Sequence, residues 1–65
     1  MLNQEIKNWR TKEGFTQKEI SELIGITRGT YQRFEQLGAA GLKSMALIQK
    51  FYNDQIKTNE MMRND

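Results

Sequence analysis

Arg28, Gln32 and Arg33, with Gly29 among them, bring two guanidinium forks and a carboxamide together within six consecutive residues. Groups of this kind recognise planar hydrogen-bonding partners and make or break no covalent bond. A guanidinium can meet O6 and N7 of guanine, or a phosphate, with two parallel hydrogen bonds, and a carboxamide can pair with N6 and N7 of adenine. Gly29 poses a question, because Gly within a helix costs about 1 kcal/mol relative to Ala, less in the first turn. Close approach of its backbone to a base edge or a thymine methyl is one answer, and cheap tolerance at the second helical position is the other. Catalytic groups are scarce by comparison. The 65 residues contain no His, Cys or Pro, which removes thiol nucleophiles, imidazole acid–base pairs and the usual zinc and haem ligands. No cofactor and no metal are expected. Glu5, Glu13, Glu19 and Glu22 are read as solvated or capping carboxylates, and the chain is not expected to be an enzyme.

Recognition side chains need a rigid element beneath them. A chain of this length buries only about 60% of the surface its unfolded form exposes, so one small domain is expected. Ile, Leu and Phe supply 14 of the 65 residues and Val none, which favours helices over strands. Gly14, Gly25, Gly29, Gly38 and Gly41 fall among segments of helical period, predicting an all-α, compact four- to five-helix bundle. The first helix is expected over 3–13, with Ile6 and Trp9 inward and Gly14 as its stop. Thr16 and Glu19 have capping-box spacing, and Phe15 and Ile20 that of a hydrophobic staple, so a second helix runs from 17 to Gly25 with Ile20, Leu23 and Ile24 on one face. Thr27 caps a third helix over 28–36, where Tyr31 and Phe34 point inward and Arg28, Gly29, Gln32 and Arg33 outward. A loop leads to a fourth helix over 42–52, with Leu42, Met45, Ile48 and Tyr52 inward. Asn53-Asp54 is expected to cap whatever follows, making 53–65 a tail or a weak fifth helix.

The net charge of +2 leans towards an anionic partner without deciding for one. Lack of Cys fits a reducing compartment, no apolar run approaches the roughly 20 residues of a membrane span, and Met1-Leu2-Asn3-Gln4-Glu5 is unlike a signal peptide. A soluble, cytoplasmic protein is expected. A helix about 10–12 Å across fits the DNA major groove, and its N-terminus presents unpaired N–H groups towards phosphate.

The unit 17–36 places Ile20, Ile24, Ile26, Tyr31 and Phe34 at its positions 4, 8, 10, 15 and 18, with Ser21 at position 5 and Gly25 at position 9. Together with Trp9-Arg10, Gly14-Phe15-Thr16-Gln17, Gly25-Ile26-Thr27-Arg28 and Phe34-Glu35, it resembles the helix-turn-helix domains of the Cro/C1 repressor type, also called XRE-like, from Ile6 to about Tyr52. The resemblance implies a lambda-repressor-like DNA-binding domain over 1–52 with 28–36 as recognition helix. On the outward face Arg28, Gly29 and Gln32 are expected to meet bases in double-stranded DNA and Arg33 either a base or a phosphate, while Thr27, Thr30 and Lys43 are expected to face phosphates; the resemblance implies that Gln17 touches the backbone as well. Gln17 would also buttress the first recognition side chain. Arg10 and Glu35 are implied to form an ion pair tying the first helix to the third. A sequence-specific repressor acting on an inverted-repeat operator, of phage or mobile-element origin, is the function this suggests.

Two features depart from the family pattern. The loop after Glu35 commonly carries basic residues and Pro, but 36–41 reads Gln-Leu-Gly-Ala-Ala-Gly, without a cation. Leu47 and Phe51 are expected on the face of the fourth helix turned away from its inward row. With Met61 and Met62 they suggest a homodimer patch, unless the tail folds back over them. The competing function uses the same surface: an antitoxin-like or antirepressor-like module that captures a protein partner.

Overall fold

The computed structural model describes residues 2–57. Four α-helices, α1 (Leu2–Glu13), α2 (Gln17–Ile24), α3 (Arg28–Leu37) and α4 (Leu42–Phe51), are followed without a break by a π-helical segment, Tyr52–Lys57. No strand occurs among the described residues.

Local chemistry explains where these helices begin and turn. Thr16 accepts the Glu19 backbone N–H on its hydroxyl at 3.0 Å, and Glu19 accepts the Thr16 backbone N–H at 2.9 Å, a complete capping box. Glu19 is held below the usual carboxylate range by that backbone bond. At the other end of α2, Gly25 takes the left-handed conformation at φ +94°, and its N–H and that of Ile26 both donate to the Ser21 carbonyl. Thr27 then starts α3 within two residues, accepting the Thr30 backbone N–H on its hydroxyl.

Ile6 from α1, Ile20 and Ile24 from α2, Tyr31 and Phe34 from α3, Ile48 from α4 and Ile56 from the π-helical segment form the core. Phe15, the outer half of the expected staple with Ile20, and Ile26 are half-buried against it. Trp9 stacks on Phe15 with ring centroids 5.7 Å apart and meets Phe51 edge-on at 5.6 Å.

Several expected positions differ. Leu23 is 57% exposed and Ser21 is buried in its place, its hydroxyl donating to the Lys18 carbonyl. The buried stripe of α2 therefore runs through Ile20, Ser21 and Ile24. Leu42, expected inward, is 90% exposed, because it is the first residue of α4 and the core lies at Ile48 and beyond. Asn53-Asp54 does not start a new helix: the helical path continues through it, Gln49 donates its side-chain N–H to the Asn53 side chain at 3.1 Å, and Ile56 is 1% exposed. Residues 53–57, the described part of the expected tail or weak fifth helix, thus continue the helix and close the core. Phe51 is not turned away, since it packs on Trp9.

Candidate nucleic-acid interface

Arg28, Gly29, Gln32 and Arg33 are all exposed on the side of α3 opposite Tyr31 and Phe34. Arg28 occupies the first turn, directly after the Thr27 cap. Among the described residues Arg28, Gln32 and Arg33 have no hydrogen-bond or ion-pair partner, so their donors remain available to an outside ligand. A Cβ built on Gly29 would meet nothing within 4 Å, and its φ is not positive. The fold itself gives Gly29 no reason to be Gly.

Thr27 and Thr30 form a pair at the start of this helix. The Thr27 hydroxyl accepts the Thr30 N–H at 3.2 Å and donates its own proton to the Thr30 hydroxyl oxygen at 2.8 Å. Lys43 is exposed in the first turn of α4, behind Gly41, which caps that helix without any side-chain hydrogen bond.

The inner side of α3 is fixed by one carboxylate. Glu35 accepts Arg10 Nε on Oε2 at 2.7 Å and Arg10 Nη2 on Oε1 at 3.3 Å. It also accepts Gln17 Nε2 on Oε1 at 3.0 Å and the Tyr31 hydroxyl on Oε2. Arg10 Nη1 donates to the Phe15 carbonyl at 2.8 Å, and Asn3 Nδ2 donates to the Glu35 carbonyl at 3.1 Å. Burial pushes the Glu35 carboxyl up, but hydrogen bonds from Arg10, Tyr31 and Gln17 outweigh it and hold the group below its ordinary value. The Tyr31 hydroxyl is raised, by burial first and then by its bond to this carboxylate. Arg10 is raised, chiefly by its hydrogen bond to Glu35. One carboxylate thereby locks α3 to both preceding helices. The model of the helix-turn-helix family matches residues 6–53. The chain belongs to the helix-turn-helix family. No curated protein and no solved structure matches it.

As a helix-turn-helix protein of the Cro/C1, XRE-like type, the chain is a regulator that binds double-stranded DNA. Its two-helix unit is α2 and α3, joined by Gly25, Ile26 and Thr27. Arg10 and Glu35 are the ion pair that the motif implied, nearly buried at 12% and 5% side-chain exposure. Gln17, expected at the DNA backbone and beside the first recognition side chain, donates its side-chain N–H to Glu35 near the end of α3. Sequence reasoning missed Tyr31 and Asn3 as members of this network. Tyr31 lies one turn before Glu35, a spacing that could have found it; Asn3 carries no such signal.

The expected dimer residues are divided. Leu47 is 42% exposed, whereas Phe51 is half-buried, and Met61 and Met62 lie outside the described residues. Leu23 and Phe51, with Trp9, Glu13, Phe15 and Gln55, line an apolar groove of about 560 Å³, with Leu47 alongside. None of its lining residues comes from α3. Among the described residues no cluster of carboxylates could hold a metal, and no helix is long and apolar enough to cross a membrane.

Proposed function

We propose that this helix-turn-helix protein is a sequence-specific repressor that inserts α3 into the major groove of an inverted-repeat operator and acts by occupying a promoter in the bacterial cytoplasm. The observation that carries the reading is the outward face of α3, where unpartnered Arg28, Gln32 and Arg33 surround a Gly29 that nothing in the fold requires. Arg28 reads guanine as a bidentate fork, Gln32 reads adenine, Gly29 allows close approach, and Arg33 reaches a base or the neighbouring backbone. Thr30 donates to phosphate, oriented by Thr27, and Lys43 supplies a cation at the start of α4. Gln17 contributes at the N-terminus of α2, its side chain anchored through Glu35. Two copies, meeting through the Leu47 face, read two half-sites about one DNA turn apart.

Selection from a random duplex pool at fixed, near-physiological salt tests this. Recovery of an inverted repeat with half-sites about 10 bp apart is expected. Arg28→Ala should relax one position in each half-site, whereas Lys43→Ala should weaken all sequences alike and lower the salt slope by about one. Equal losses on every sequence from both variants would overturn this division of roles.

A second reading draws on the exposed Leu23 and Leu47 beside the apolar groove: a protein partner bound there, as in an antitoxin-like or antirepressor-like module. Salt separates the two, because phosphate contacts make log K fall linearly with log salt and an apolar contact does not.

A further inference from the structure

We infer that Gln36 is a further specificity-determining residue, reading an adenine at the far end of the α3 footprint from Arg28; this rests on the proposed insertion of α3 into the major groove. Gln36 is exposed and within regular α3, ahead of the Gly38 cap. It stands four residues after Gln32, three after Arg33 and seven after Gly29, so the Arg28–Gln32–Gln36 row and the Gly29–Arg33 row converge on it. Like Gln32 and the two arginines, it has no hydrogen-bond partner among the described residues. Its side chain leans towards the N-terminus of the helix, over the turn that carries Gln32 and Arg33, which directs the carboxamide back along the same face.

Distance and rigidity support the assignment. Eight residues of helix separate Gln36 from Arg28 by about 12 Å, and successive bases on a strand are about 3.4 Å apart, so the two side chains reach positions about three base pairs apart. The last turn of a helix is often too loose to read a base. This one is pinned: Phe34 is fully buried, Glu35 is bound by Arg10, Gln17 and Tyr31, and the Glu35 carbonyl accepts Asn3. Gln36 therefore stands on a backbone held by both preceding helices.

The test is selection from random duplex with wild type, Gln36→Ala and Gln36→Glu, followed by titration of single-base variants of the wild-type site. Adenine is expected at one position about three base pairs from the guanine whose selection Arg28→Ala abolishes. Gln36→Ala should lose about 5- to 150-fold discrimination there and nowhere else, the range of one good bidentate pair. Gln36→Glu should move the preference at that position to cytosine, whose N4 donates to a carboxylate. An unchanged selected site in both variants would mark Gln36 as solvated, and a uniform loss on all sequences would mark it as a phosphate contact; either overturns the inference. If wild type selects no site at all, the DNA-reading proposal fails first and this one with it.

Discussion

At the scale of the residue, Glu35 matters most for what its loss would strand. Arg10 is nearly buried, and without the carboxylate its charge would have no partner in a poorly solvated place. Glu35→Ala is therefore expected to cost about 3–5 kcal/mol, a large share of the roughly 5–15 kcal/mol that holds a small domain together. Thermal melting checks this, and a midpoint close to that of wild type would sink it. The same carboxyl sets an acid limit. Its folded pKa lies below the ordinary 4.5, so the unfolded chain takes up the proton first as pH falls. Its stabilisation is complete above 4.5 and disappears as pH drops through the depressed value. Melting temperature plotted against pH below 4.5 should fall less steeply for Glu35→Gln than for wild type, from a lower starting level. Glu19 acts with the same sign but is fully exposed and contributes a smaller part. The ion pair could be anticipated from the motif, and Tyr31 from its one-turn spacing to Glu35; that Gln17 shares the acceptor could not, because a sequence carries no record of which oxygen a donor finds.

At the scale of the element, caps and glycines were legible and the depth of each helix face was not. Thr16, Glu19, Gly25 and Thr27 act through neighbours in the chain, so spacing alone discloses them. Gly25→Ala would force a Cβ into the left-handed conformation and should cost about 1–2 kcal/mol, lowering the melting midpoint by about 4–8 °C per kcal/mol. Leu23 and Leu42 look inward by type and period, yet what they would touch is decided by other helices. Ser21 is buried although it is polar, its hydroxyl paired with the Lys18 carbonyl, and Leu42 is exposed because it opens α4 ahead of the core residue Ile48. Ile56 was missed for the opposite reason: two polar residues, Asn53 and Asp54, look like a start signal, although Ile48 and Ile56 fall eight apart on one face. Ile56→Ala is expected to cost about 2–5 kcal/mol, as for any well-packed aliphatic residue. A melting curve superposable on that of wild type would show instead that the domain ends with α4.

At the scale of the whole molecule, one copy measures 36 × 23 × 19 Å and carries a single α3. Reading two half-sites about 34 Å apart requires two copies. Leu47→Glu is the substitution to examine by sedimentation, since Phe51 packs on Trp9 and its replacement would disturb the fold as well. Wild type should sediment at twice 7.7 kDa and Leu47→Glu at 7.7 kDa; equal masses would remove this face from the interface. Trp9 gives the molecule an optical asymmetry. It is the sole Trp of the chain, sandwiched between Phe15 and Phe51 at the groove that α3 does not line. Its ultraviolet emission consequently reports on that groove and is blind to ligands on the recognition face. Operator duplex should leave the emission maximum where it is, whereas a partner seated against Leu23 should shift it to the blue, so one cuvette titration tells the two modes of binding apart.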